Sequence, residues 1–213
     1  MWIAEIWRYP VKSMAGERLQ EVEVRPDGIP GDRVVHARDA RGRVATSRSH
    51  PRLLGHRATL GPDGEPRVDG RPWRDPEVAR DVEAAAGAGT GLVRFEGLER
   101  FDVLPLLVAT DGAIAAFGLD HRRLRPNLVI AGVEGLAERS WEGRRLRAGG
   151  AVIGLRDLRQ RCIMTTFDPD TLEQDVNVLK GIHRDFGGTM ALNAAVLRAG
   201  RLAVGDTVVL LDD

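Results

Sequence analysis

Short runs of β-branched and aliphatic residues recur between Gly, Pro and Asp turn signals, and this spacing constrains the fold more than any other feature of the chain. The runs are Trp2 to Trp7, Leu19 to Val24, Val34 to Ala37, Val44 to Ser47 and Leu53 to Leu60. Between them lie Pro26-Asp27-Gly28, Pro30-Gly31-Asp32, Asp39-Ala40-Arg41-Gly42 and Gly61-Pro62-Asp63-Gly64. Apolar runs this short, bounded by residues that favour turns, read as strands. Several at such spacing point to a barrel or a sandwich. The pattern turns helical from Asp75 to Ala86, with Asp75 as N-cap, Pro76 in the first turn and Gly87 as the stop. A strand over Leu92 to Phe95 closes this half.

The second half opens on the apolar run Leu104 to Ala109, followed by Thr110-Asp111 at the start of a helix over Gly112 to Phe117. Strands follow at Leu128 to Ala131 and near Leu146 to Leu158, and then comes the Cys162 segment. A short helix over Val176 to His183 and two closing strands, Met190 to Leu197 and Thr207 to Leu211, complete the reading. The expected class is mixed and mainly β, a β-barrel with a few short helices. The division falls in 96–102, giving an N-terminal β-rich domain over 1–97 and a second domain over 98–213, and the two halves can share one barrel.

With 213 residues, 43% of them hydrophobic, the chain can bury a core without covalent staples. Its one cysteine, Cys162, cannot close an intrachain disulfide, and no intrinsic haem, iron–sulfur or zinc centre is expected. Any redox reaction then draws its electrons from a separate donor protein. Lys+Arg and Asp+Glu are both 31, so the overall field gives no reason to expect nucleic acid or an anionic membrane as partner. The N-terminus has no basic region followed by an apolar run, and the apolar stretch around Leu104 to Leu119 is broken by Asp111. The expectation is a cytoplasmic protein.

Four separated stretches carry side chains suited to a ligand that bears phosphate and metal: Tyr9-Pro10-Val11-Lys12-Ser13, Gly31-Asp32-Arg33, Arg125-Pro126-Asn127 and Arg161-Cys162. Lys12, Arg33, Arg125 and Arg161 supply point or forked donors for anionic oxygen. Asn127 offers both a donor and an acceptor. Thr110 and Asp111 stand at a helix start, where backbone N–H groups face outward. Cys162 follows Leu158-Arg159-Gln160-Arg161, whose guanidinium charge favours a thiolate, the form that binds soft metals. Lys12 and Lys180 are the only lysines and Tyr9 the only tyrosine, so Tyr9 and Lys12 falling within one pentapeptide is itself notable.

Tyr-Pro-Val-Lys-Ser, Gly-Asp-Arg, Arg-Pro-Asn before an aliphatic strand, and Arg-Cys-x-x-Thr-Thr-x-Asp-Pro-Asp-Thr, in that order, resemble the motifs of the MOSC superfamily. Within it they resemble the two-part proteins related to the amidoxime-reducing component. The resemblance implies a MOSC-type barrel and a molybdenum cofactor of the molybdopterin kind, with Cys162 as metal ligand. Lys12, Ser13, Arg33, Thr110, Asp111, Arg125, Asn127 and Arg161 are implied as further contacts to the cofactor. It implies an oxidoreductase that removes oxygen from small N-hydroxylated or N-oxide substrates. A carrier of persulfide sulfur or of the cofactor itself, working through Cys162, is the alternative.

Asp168 has two readings, as cap of the Asp168-Pro169-Asp170-Thr171 turn or as a catalytic group that binds substrate or moves a proton. Arg161 and Cys162 raise a geometric question, because neighbours on a regular strand point to opposite faces. If both meet one ligand, the backbone bends or bulges there.

Overall fold

The computed structural model describes residues 1–211. Its first half comprises strands β1 (Trp2–Arg8), β2 (Glu17–Leu19), β3 (Glu21–Val24), β4 (Val35–Arg38), β5 (Val44–Ala45), β6 (Ala58–Leu60), β7 (Pro66–Val68) and β8 (Arg71–Pro72), then helix α1 (Pro76–Ala86) and strand β9 (Gly91–Arg94). The second half comprises β10 (Leu106–Thr110), α2 (Asp111–Phe117), β11 (Leu128–Ala131), β12 (Arg145–Ala148), β13 (Ala151–Gln160), α3 (Val176–Phe186), β14 (Thr189–Arg198), β15 (Gly200–Ala203) and β16 (Val208–Leu211).

An eight-stranded sheet, ordered β16-β12-β13-β14-β10-β11-β1-β2, forms the body of the molecule. Only β10 and β11 run parallel in it, and α2 makes the crossover between them. A bridge between Trp2 and Thr207 joins the start of β1, the strand next to the β2 edge, to the chain entering β16, so the sheet curls round on itself. Ile3, Ile6, Leu106, Leu128, Ile130, Leu146, Ile153 and Leu192 fill the interior. Val24 and Ile29 join this core, brought there by the β3–β15 pair. The first half therefore supplies strands and core residues to the sheet of the second.

A smaller core of Val11, Met14, Val35, Leu53, Val68, Trp73, Val78 and Val82 lies under the sheets β5-β4-β9 and β6-β7-β8. Helix α1 covers it. Asp75 caps that helix by accepting from the Glu77 N–H at 2.7 Å, Pro76 occupies the first turn, and Val78, Val82 and Ala86 form the buried face at a spacing of four. Gly87, at φ 101°, ends it in a conformation a side chain would resist.

Several segments differ from the sequence reading. The expected strand over Leu53 to Leu60 is a 3-10 turn, Pro51–Gly55, followed by the short strand β6. Pro51 has no N–H to give a ladder, and its fixed φ suits the first position of a turn. The run Leu19 to Val24 divides between the large sheet (β2) and the β3–β15 pair, and Leu146 to Leu158 divides at Gly149-Gly150 into β12 and β13. Strands β7, β8 and β15, of two to four residues each, were too short to leave a periodic signal. No helix among the described residues is long and apolar enough to cross a membrane.

Candidate functional site

Where the two cores meet, a cleft of about 480 Å³ opens, and Cys162 lines it together with Lys12, Ser13, Arg33, Arg125, Asn127 and Arg161. Each arrives from a different local device. Lys12 follows a β-bridge between Val11 and Val35, held by hydrogen bonds from the Lys12 N–H to the Val35 carbonyl at 2.8 Å and from the Val35 N–H to the Pro10 carbonyl at 3.2 Å. Arg125 comes off the 3-10 turn His121–Arg123, which Asp120 caps by accepting from the Arg122 N–H at 2.8 Å. Ser13, Arg33 and Arg125 all have positive φ, 71°, 55° and 56°. That region is costly for residues with a side chain, and non-glycine residues held there gather at functional sites.

Buried Asp32 organises one wall. Its carboxylate accepts from the Tyr9 N–H at 2.7 Å and from Asn127 Nδ2 at 3.3 Å, and it pairs with Arg33. These bonds reach across 23 and 95 residues, far beyond the backbone of its own turn. Asn127 is equally committed: Nδ2 also donates to the Trp7 carbonyl at 3.2 Å, and Oδ1 accepts from the Leu107 N–H at 3.1 Å. Its amide joins β1, β10 and β11 at the cleft floor, which leaves little of it for a ligand edge.

Above them, the guanidinium carbons of Arg125 and Arg33 lie 4.3 and 5.1 Å from the Tyr9 ring centre. The Tyr9 hydroxyl donates to the Pro126 carbonyl at 3.0 Å. Burial pushes Tyr9 up to about 12 against the opposing charges of Arg125 and Arg33, so it is a neutral plate for both cations.

Strand β13 slips register against β14 between Leu155 and Asp157 and again between Leu158 and Gln160, then ends at Gln160. The Arg161 N–H bonds the Gly188 carbonyl at 2.9 Å, and Cys162, extended at φ −135°, opens the 3-10 turn Ile163–Thr166. The bulges and this exit from the strand resolve the alternation problem, so that Arg161 and Cys162 line one cleft. Cys162 is half-buried. Arg161 donates to the Leu124 carbonyl at 2.8 Å, yet its buried Nε has no partner. Burial pushes Arg161 down to about 10; the negative form of Cys162 opposes this, while Arg159 and Arg125 add to it. Burial does the same to Arg125, also to about 10.

Six more of the described residues that line the cleft carry charge and are not among the site residues read from the sequence: Arg48, Asp102, Arg123, Arg156, Asp157 and Arg159. Asp102 accepts from Lys12 at 2.8 Å, Arg48 at 2.9 Å and Arg159 at 3.1 Å. Arg159 and Arg123 stand two residues before Arg161 and Arg125, a hint the sequence did hold; Arg48 and Asp102 sit in no motif. Cations dominate the cleft, with Asp102 and Asp157 as its lining carboxylates among the described residues. Such a cavity favours an anionic, multiply accepting ligand.

Thr110, Asp111 and Asp168 do not line it. The Thr110 hydroxyl caps α2 by accepting from the Ala113 N–H at 3.2 Å and bonds Glu138 at 3.2 Å. The Asp111 carboxylate itself accepts the N–H groups of Gly112, Val133 and Gly132 at 2.8, 3.0 and 2.7 Å, filling the place an anion was expected to take. Asp168 accepts from the N–H groups of Asp170 and Thr171, both at 3.0 Å, and pairs with Arg123 at 2.9 Å. Those bonds hold its pKa below the usual carboxylate range. The two N–H bonds are those of a turn cap.

The family model described as MOSC N-terminal beta barrel domain matches residues 1–116, and that described as MOSC domain matches residues 108–209. Mitochondrial amidoxime-reducing component 1 of Homo sapiens is 25% identical over an alignment covering 79% of this chain and 67% of that protein. Among solved structures, the YUAD protein from Bacillus subtilis aligns over 98% of this chain and 97% of its own, with TM-score 0.48 and 14% identity. YiiM from Geobacillus stearothermophilus aligns over 51% of this chain and 54% of its own, with TM-score 0.41 and 18% identity.

Proposed function

Because this chain belongs to the MOSC superfamily, we propose that its basic cleft holds a molybdenum cofactor at Cys162 and serves the reduction of small N-hydroxylated or N-oxide molecules. The observation that carries the reading is one sulfur atom sharing a cavity with cations from its own segment and from Lys12, Arg33, Arg48 and Arg125, which are distant in sequence. The donor set fits such a group. A thiolate is a soft-metal ligand, and the cations around Cys162 suit an anionic partner. The unpartnered Nε atoms of Arg161 and Arg123 are buried donors awaiting an acceptor.

When bound, the cofactor supplies the two-electron chemistry that cleavage of an N–O bond requires. The chain's own residues bind and orient. Lys12, Ser13 and Arg33 stand at one wall as phosphate partners, and Arg125 and Arg161 flank Cys162 as charge-balancing donors. Converting N–OH to N–H releases water and consumes two electrons and two protons. The electrons come from a separate donor protein, a reading supported by the likeness to an amidoxime-reducing component. Asp168 acts as a positioning residue that anchors Arg123.

The test is expression in a host that makes molybdenum cofactor, with metal and pterin quantified and benzamidoxime reduction assayed against an artificial reductant. Stoichiometric molybdenum and turnover in the wild type, both lost in a folded Cys162→Ser, are expected. Loaded protein that reduces no N–O substrate rejects the reductase assignment. Cofactor-free protein with extra sulfur on Cys162 favours the carrier.

A further inference from the structure

A second cavity, of about 490 Å³, backs onto the first and shares Arg123, Arg125 and Met164 with it. The proposed reaction makes no use of it. Trp7, Leu54 and Phe167 give it apolar and aromatic walls, while four guanidinium groups and one carboxylate, Asp170, face it. Arg122 and Asp170 cancel, since Arg122 is held at 2.6 Å by both Asp170 and Asp120. The other three cations are less well satisfied. Arg123 pairs with Asp168, but its side chain is only 9% exposed and its buried Nε has no partner. The Arg125 guanidinium rests on the Tyr9 ring, and no carboxylate among the described residues pairs with it. Arg57 gives its backbone N–H to Asp69 at 2.8 Å, while its guanidinium makes no ion pair among the described residues.

A half-buried guanidinium without a counter-ion, that of Arg125, and a buried donor without an acceptor, Arg123 Nε, cost free energy that an anion supplied from outside would recover, and exposed Arg57 adds a further positive charge. Aromatic and aliphatic walls at the same place call for a flat apolar body joined to that anion. The volume suits a small molecule. We propose that this second cavity is a binding site for a planar organic anion of the aromatic carboxylate class. Its ring packs against Trp7, Leu54 and Phe167, and its carboxylate is met by Arg57 and Arg125 with help from Arg123. The proposal uses neither Cys162 nor the Lys12 wall, and although it shares Arg123 and Arg125 with the first cleft, Arg57, Leu54, Trp7 and Phe167 belong to this cavity and not to that one.

The test is calorimetric titration of the full chain, as isolated, with 2-naphthoate, beside the neutral analogue 2-acetonaphthone. Arg57→Glu removes the exposed cation, Leu54→Trp fills the cavity, and Arg48→Glu perturbs only the Cys162 cleft. Saturable binding of 2-naphthoate below about 1 mM, weakened about tenfold or more by Arg57→Glu and by Leu54→Trp but not by Arg48→Glu, is expected. If Leu54→Trp lowers the melting temperature, Arg57→Glu, at an exposed position, decides alone. Absence of saturable binding, equal binding of the neutral analogue, or weakening by Arg48→Glu in place of Arg57→Glu overturns the proposal.

Discussion

Asp102 sets the charge balance of the Cys162 cleft, because three of the cations facing the ligand space share its carboxylate. Burial pushes its pKa up, but the Lys12 hydrogen bond and the charges of Lys12, Arg48 and Arg159 outweigh this and hold it below the ordinary value. A carboxylate depressed in the folded state contributes stability above its unfolded pKa of about 3.9, and loses it as pH falls through the folded value. Asp102→Asn should therefore be less stable at pH 7 by about 1 kcal/mol or less, since the pair is one-third exposed, and should converge with wild type at low pH. It should also bind inorganic phosphate more tightly, since three cations lose an internal competitor. Urea melts at pH 7 and pH 3 with phosphate titrations check both; unchanged phosphate affinity would mean that Asp102 only positions its partners. His36 adds a second loss of stability on acidification, at higher pH. Burial, then the charges of Arg38 and Lys12, push it down to about 4, and its ring accepts from Arg38 Nε at 3.0 Å. The unfolded chain then binds the extra proton between about pH 6.5 and pH 4, so stability is full above that window and falls within it, by up to roughly 3 kcal/mol. His36→Gln should flatten that slope in urea melts taken across the window.

At the scale of elements, Asp32 is the joint between β1, the loop entering β4, and β11, through Tyr9, Arg33 and Asn127. Removing its carboxylate strands a buried backbone N–H and an amide, and releases Arg33 from its place. Asp32→Ala should cost about 3 kcal/mol in a denaturant melt and weaken phosphate binding, whereas Asp32→Asn, which keeps an acceptor for Tyr9, should cost less. Equal losses from both would indicate that charge rather than hydrogen bonding holds the joint. This joint was only half visible in the sequence. Gly-Asp-Arg marked a turn and named Arg33, but partners 23 and 95 residues away leave no local trace. Helix α1 was visible in full, because Asp75, Pro76, the Val78-Val82-Ala86 face and Gly87 act within its own length. Leu53 to Leu60 misled for the converse reason: an aliphatic run suggested a strand, and Pro51 together with burial of Leu53 alone decided for a turn.

On the scale of the molecule, a formal net charge of +0 says nothing about a cleft where arginines from distant segments converge. Composition averages over the surface, and folding concentrates. Lys12, Ser13, Arg33, Arg125 and Cys162 were legible because each sits in a short motif; Arg48 and Asp102 were not, because only the tertiary fold brings them to the cleft. The same fold blurs the line between 97 and 98. Strand β1 pairs with β11, β3 pairs with β15, and Ile3, Ile6, Val24 and Ile29 sit in the core of the large sheet. A fragment of residues 98–213 would expose one edge of β11 and leave β15 without its partner, with four buried side chains missing from its core. Exposed edges and unfilled cores favour aggregation over folding. The whole chain should therefore melt in one transition, with far-UV circular dichroism and tryptophan fluorescence coinciding. Residues 98–213 alone should give no cooperative melt, and co-expression with residues 1–97 should restore a single folded species. A sharp melt from the isolated 98–213 fragment would mean that β1 and β3 decorate a sheet able to stand without them, and that the cleft forms only afterwards, by docking of two finished halves.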